Sequence, residues 1–211
     1  MCSPKIQVKL LLLMLLLSGC GVYTPPMHTT INYYLNPEKE LSLVGRVAII
    51  ELNNNSNYPQ ITTDVTDSLF QAMQKKQLFG ISIIRQTDPA WRSLQLDAGA
   101  TYTTEQLLAI RKTLKCDAVL LGDITGYQPF PHMTIALRLK LIDLKDGQLI
   151  WALEQVWDST DKTTESRIKK YYENQLQAGL PGLQRQLMGV SPIEFMKFVA
   201  FEAAETLPAK K

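Results

Sequence analysis

The run from Met133 to Leu141 constrains the fold most. Met133, Ile135, Leu137, Leu139 and Leu141 alternate there with Thr134, Ala136, Arg138 and Lys140. Successive side chains of an extended strand point to opposite faces, so this period of two specifies a strand with one face in the core and the other in water. A helix would scatter the same apolar residues around its circumference. Asp146-Gly147 follows, a pair suited to a tight hairpin turn, and Gln148 to Trp157 (QLIWALEQVW) returns as the partner strand. The chain must therefore build an antiparallel hairpin with one wet face.

Upstream the pattern changes. Gly45 to Leu52 (GRVAIIEL) is an apolar run typical of a buried strand, and it ends in the polar turn Asn53-Asn54-Asn55-Ser56-Asn57. Ile61, Val65, Leu69 and Met73 then recur at four-residue spacing and predict a helix to about Gln77, stopped by Phe79-Gly80. Ile81 to Arg85 reads as a second strand, and DPAWRSL as a short helix in an irregular segment. Thr103 and Gln106 have capping-box spacing, and Leu107, Ile110 and Leu114 form the stripe of the next helix, which feeds a third strand from Asp117 to Tyr127. Two strand–helix–strand crossovers require parallel neighbours. The expectation is an α/β fold with a mixed five-stranded sheet in the order βαβαβββ plus C-terminal helices. It forms a single α/β domain over 45–207, with 157–207 as a helical tail.

At the amino end, Lys5 and Lys9 precede the apolar run Leu10 to Leu17, which is short of the roughly 20 residues that span a bilayer. The basic, apolar, small-residue order is that of a secretory signal peptide. Leu17-Ser18-Gly19-Cys20 resembles the lipobox of bacterial lipoproteins. The resemblance implies cleavage of residues 1–19, a diacylglyceryl group on the Cys20 thiol and acylation (palmitate) of the new amino terminus. Gly21 rather than Asp after the cysteine implies sorting to the periplasmic face of the outer membrane. Residues 20–44, with Pro25-Pro26 and Pro37, read as the lipidated cysteine and its tether.

Losing residues 1–19 removes two lysines, so 22 basic residues fall to 20 against 20 acidic ones. A neutral chain offers no electrostatic basis for nucleic-acid binding. Cys2 leaves with the signal peptide and Cys20 carries lipid, so Cys116 alone remains, and no internal disulfide can form. A free cysteine before an apolar strand reads as a small buried hydrophobe. There is no nucleophile elbow, no His-Glu-x-x-His, no paired-cysteine spacing and no phosphate-cradling glycine loop. His28 and His132 fall in the tether and in a proline-flanked loop, and Asp143, Asp146 and Asp158 sit at strand ends. No enzyme, metal or cofactor is expected.

Three segments carry a family resemblance. RVAIIELNN, CDAVLLGDITGY and LKLIDLKDGQLIW, across about residues 45–157, resemble the opening strand, the strand after the second helix and the hairpin of the CsgG, LpoB and TolB amino-terminal-domain superfamily. The resemblance implies helices packed mainly on one face of the sheet, and non-enzymatic work in secretion, cell-wall synthesis or the Tol system. Only Gln128 to His132 separate the third and fourth strands, which leaves no room for the membrane hairpin of a CsgG-type channel.

Two places suggest binding. Asn53, Asn54 and Asn55 lie beyond the carboxyl end of a parallel strand, where open α/β sheets bind ligands, although asparagine also suits a plain turn. In the tail, Ile168, Tyr172 and Leu176 make an apolar stripe. The last helix has Ser191 as cap, Pro192 at its first position and Glu194 in its first turn. At 100° per residue, Ile193, Met196, Ala200, Ala203 and Leu207 share one face, and Glu194, Lys197, Glu202 and Glu205 the other, with Phe198 and Phe201 among the charges. Either that helix is wedged between two layers, or Phe198, Phe201 and Lys197 face a partner. The function expected is an outer-membrane lipoprotein that docks on, or assembles into, an envelope machine. One alternative is a homo-oligomeric subunit of a secretion or appendage complex, and another is an envelope hydrolase with an unrecognised site.

Overall fold

The computed structural model describes residues 31–94, 96, 101–177 and 191–208. The signal peptide, Cys20, His28 and the first part of the tether lie outside the described residues. The strands are β1 (Tyr33–Leu35), β2 (Arg46–Ile50), β3 (Asn53–Asn54), β4 (Gly80–Ile84), β5 (Ala118–Gln128), β6 (Thr134–Asp143) and β7 (Leu149–Asp158). The helices are α1 (Ile61–Lys76), α2 (Pro89–Leu94), α3 (Thr104–Leu114), α4 (Lys162–Gln177) and α5 (Pro192–Glu205).

The alternating run forms β6 and the returning segment β7, paired antiparallel with Leu139 opposite Leu153 and Arg138 opposite Glu154. Ile135, Leu137, Leu139 and Leu141 are buried while Arg138 and Lys140 are exposed, as the period of two demands. Gly147 takes a left-handed φ of 73° in the connecting turn, a conformation open to glycine without steric penalty. β2 pairs parallel with both β4 and β5, so its apolar run is buried on both faces. Gly122 of β5 marks a close approach, because a Cβ there would lie 2.5 Å from Leu139 Cδ2 and 2.9 Å from the Arg138 carbonyl oxygen.

The helix signals hold with small shifts. The capping box of α3 is complete, Gln106 N–H donating to Thr103 Oγ1 at 3.3 Å and Thr103 N–H to Gln106 Oε1 at 2.8 Å. α1 ends at Gln77, whose left-handed backbone (φ 52°) closes it two residues before the Phe79-Gly80 stop.

Three expectations need correction. The sheet has seven strands, not five, in the order β1-β7-β6-β5-β2-β4 with β3 on β5. The two extra strands are short pieces defined by their partners rather than by their own pattern. β1 comes from the segment read as tether. Tyr34 pairs with Ala152 there, Ile31 and Leu41 are buried, Asn36 Nδ2 donates to the Leu149 carbonyl at 3.0 Å, and Lys39 Nζ bonds Asp143 Oδ2 at 2.8 Å. β3 is the start of the asparagine turn, with Asn53 opposite Asp123.

Helices also cover both faces rather than mainly one. α1 and α5 pack on the face that carries Val47, Ile49, Leu120, Leu139 and Trp151. α3 packs Leu107 and Ile110 on the other face, against Ala48, Ile50, Val119 and Leu121. That second cover reaches past β5 only at the Ile142 end of β6. Beyond it the face of β6 and β7 is open, with Arg138, Lys140, Glu154 and Val156 exposed. Finally, the buried face of α5 is rotated from the 100° reading: Ile193 is exposed and Glu202 is buried. The cause is a second packing layer, described next.

Candidate functional site

α5 packs on the sheet and is contacted by both α1 and α4, so neighbouring helices cover part of its polar side. Trp157 Nε1–H donates to Glu202 Oε2 at 2.7 Å, and Trp151 Nε1–H donates to Thr206 Oγ1 at 3.0 Å. On the far side of Glu202, Arg167 of α4 places its Nε 3.3 Å from Oε1, an ion pair whose N–H is not aimed for a hydrogen bond. Glu202 is 3% exposed, and burial raises its pKa against the opposing pull of the Trp157 hydrogen bond and the Arg167 charge. This polar cluster was not foreseen, because Glu202 and Arg167 lie on the charged sides of their helical patterns. A tryptophan at the matching level of the facing strand is the signal that could have found it.

The same packing separates the two phenylalanines. Phe198 is 1% exposed, its ring 5.7 Å from Tyr171 and 6.2 Å from Phe195, so it is core and not a partner surface. Phe201 is 38% exposed and tilts against Tyr171 at 4.9 Å between ring centres. It forms the floor of a recess of about 200 Å³ with Ala72, Tyr171 and Ala204, and Lys75, Lys76 and Lys197 stand around it. Lys76 is paired with Glu205 at 3.0 Å and Lys197 with Glu194 at 2.7 Å. Glu205 lines the recess as well, so the rim is mixed in charge with lysine in excess, which suits an apolar side chain carried by a segment of net negative charge. Of the α4 stripe, Tyr172 is buried and Ile168 packs on the core, while the Leu176 side chain lies outside those described. Ser191 occupies the cap position of α5 without a side-chain bond, ahead of Pro192.

The asparagine loop is shaped by its own side chains. Asn54 Oδ1 accepts from Ser56 N–H at 2.8 Å and Ser56 Oγ at 2.7 Å, and its Nδ2 donates to the Tyr58 carbonyl at 2.9 Å. Asn53 Nδ2 reaches Asp123 Oδ1 at 3.4 Å, and Asn55 N–H donates to the Ile124 carbonyl at 3.0 Å. The crevice at the carboxyl ends of β2 and β4, where their connections leave to opposite faces, is filled by protein charges. Glu51 Oε2 accepts from Gln86 N–H at 2.8 Å, and Arg85 bonds Asp67 Oδ1 at 2.7 Å.

Cys116 is buried, and burial pushes its thiol up to about 11, which leaves it a thiol at neutral pH. Among the described residues no His, Cys, Asp and Glu cluster suits a metal ion, and no helix is long and apolar enough to cross a membrane.

No family model matches the sequence, and comparison with curated proteins finds no relative. Solved structures do match. The PelC dodecamer from Paraburkholderia phytofirmans aligns at TM-score 0.53 and 12% identity, over 86% of this chain and 99% of that one. Lipoprotein GNA1162 from Neisseria meningitidis aligns at TM-score 0.42 and 14% identity, over 65% of this chain and 99% of that one. The LpoB C-terminal domain from Escherichia coli aligns at TM-score 0.38 and 21% identity, over 54% and 82%. The likeness to PelC is one of fold: the chain is similar to it in the α/β architecture built on this mixed sheet.

Proposed function

We propose that this chain is a non-enzymatic lipoprotein, anchored through Cys20 at the periplasmic face of the outer membrane, whose domain docks on an envelope protein. The observation that carries the reading is the Phe201 recess. A half-exposed aromatic braced by Tyr171, in a recess lined by Lys75, Lys76, Lys197 and Glu205, is an anchor site of the kind that dominates binding energy at protein interfaces. It lies on packed helices, so little ordering entropy is lost on binding. The partner presents an apolar side chain flanked by carboxylates.

In-cell photo-crosslinking from a probe replacing Phe201 tests this, with adducts identified by mass spectrometry. One adduct with a different envelope protein supports docking. No adduct from Phe201, with adducts from a probe at Val156 on the open sheet face, removes the recess from the reading.

A second reading, assembly into a homo-oligomer, has its own support. The open face of β6 and β7 forms a shallow recess lined by Tyr34, Arg138, Lys140, Ala152 and Glu154 beside the edge strand β1, and the similar PelC fold is that of a dodecamer. A ladder of self-adducts from Val156 would favour it. The asparagine loop Asn53–Asn55 is a secondary candidate for contact, through the side chain of Asn55.

A further inference from the structure

The turn between β5 and β6 carries Phe130, which at 81% is the most exposed large apolar side chain among the described residues. The turn is braced, since Gln128 Nε2 donates to the Phe130 carbonyl at 3.1 Å, and Pro131 stands exposed beside the ring. A single exposed apolar side chain is ordinary on a protein surface, so the position of this ring, at the tip of a hairpin, is what gives it meaning.

The register of the sheet says where this tip lies. Thr134 pairs with Asp158, so the tip is at the Asp158 end of β7. β1 runs antiparallel to β7 with Tyr33 opposite Leu153, and Asn32 N–H reaches Gln155 Oε1 at 3.5 Å. Traced back toward Ile31, the chain therefore heads for the same end as Phe130. α5 follows suit. Glu202 sits beside Trp157 and Thr206 beside Trp151, so its exposed first turn with Ile193 also points to the Asp158 end. Lys162 opens α4 there, while the acids Asp158 and Asp161 are held by Thr160 N–H and Thr164 N–H. At the opposite end, Leu43 is 75% exposed beside Asp117 and Asp143.

Lengths decide between the two ends. Residues 21–30 separate Cys20 from Ile31. Ten residues span at most roughly 33–36 Å even when fully extended. The ten residues of β6 rise by roughly 33 Å. A lipid on Cys20 could therefore let the Leu43 end meet the bilayer only with those residues near full extension, whereas the Phe130 end is within reach at any shorter span. We propose that the Phe130-Pro131 turn is a lipid-contact point, its ring seated among the headgroups of the bilayer that holds Cys20, so that the domain stands with its β5–β6 end down. The inference rests on the lipid-anchor reading above.

The test uses the full chain purified from membranes, as Phe130→Cys and, separately, Leu43→Cys, each labelled with an environment-sensitive fluorophore. Both positions are exposed, and Cys116 is buried away from the label. The probe membrane is a vesicle of phosphatidylethanolamine and phosphatidylglycerol, with and without brominated acyl chains. Mass spectrometry first reads the lipid on Cys20. The expected result is a lipidated chain whose label at position 130 is blue-shifted and loses emission in brominated vesicles, while the label at 43 is unchanged. A lipidated chain with both labels unquenched, or with quenching at 43, overturns the lipid contact and leaves the anchor standing. A concentration-dependent shift at 130 without lipid assigns the turn to a second copy and overturns it as well. A chain without lipid on Cys20 overturns anchor and contact together.

Discussion

The sheet has two halves that solve burial differently. In the parallel half, β2 with its neighbours β4 and β5 has α1 on one face and α3 on the other, and β2 is apolar from Val47 to Ile50. In the antiparallel half, β6 and β7 have α5 on one face only, and their sequences alternate. The number of covered faces thus sets the local pattern. The half with the open face is also the half that holds the Phe130 turn and β1, so the surfaces proposed for lipid and for further copies lie where the fold stops covering its sheet.

Four experiments would break or sharpen this contrast. The largest effect is expected inside the single covered layer of the antiparallel half. Arg167→Ala strands the Glu202 carboxylate among Trp157 and the core of α5, and should cost about 3–5 kcal/mol by denaturant unfolding. Burial raises the pKa of Glu202 from its ordinary 4.5, so the folded state binds its proton more tightly than the unfolded state. The contribution of this group to stability falls as pH rises from about 4.5 through the folded value, and the Arg167→Ala defect should be smaller at pH 4 than at pH 7. A defect independent of pH would mean that Glu202 is not the group left unpaired.

Next comes the doubly covered half. Ile49→Ala, on β2 with no exposed surface, should cost about 2–5 kcal/mol. A loss below that range would show that the parallel half can collapse around a cavity. Thr103→Ala removes the cap of α3, the helix that makes the second cover, and should cost about 1 kcal/mol with earlier hydrogen exchange in α3 than in α1. Equal exchange in the two helices would deny that the second cover is a separable layer. The smallest effect belongs to the open face. Val156→Ser should change stability by less than about 0.5 kcal/mol while removing apolar area from any assembly that uses this face. A larger loss would mean that the face is covered in the native protein.

Much of the core was legible because periodicity records burial. The β6–β7 hairpin, β2, the α1 stripe and the α3 capping box follow from spacing alone. β1 and β3 were not legible, since three and two residues carry no period and become strands only when β7 and β5 present their edges. Lys39 gave no sign that it would reach Asp143, more than a hundred positions away. Phe198 and Phe201 looked alike in sequence. α1 and α4 close over one and leave the other at a recess, and nothing within α5 distinguishes them.

The sequence by itself determined which segments extend, which coil and which faces turn inward, because strand and helix periods are local and the hydrophobic effect acts on each. It also placed a lipobox-like cysteine eleven residues before the first described residue, Ile31. The tertiary structure alone decided how many layers cover each half of the sheet, that Glu202 and Arg167 are buried together, and that Ile31 and Phe130 share one end. Those outcomes depend on strand order and register, which are set by contacts between residues far apart in the chain.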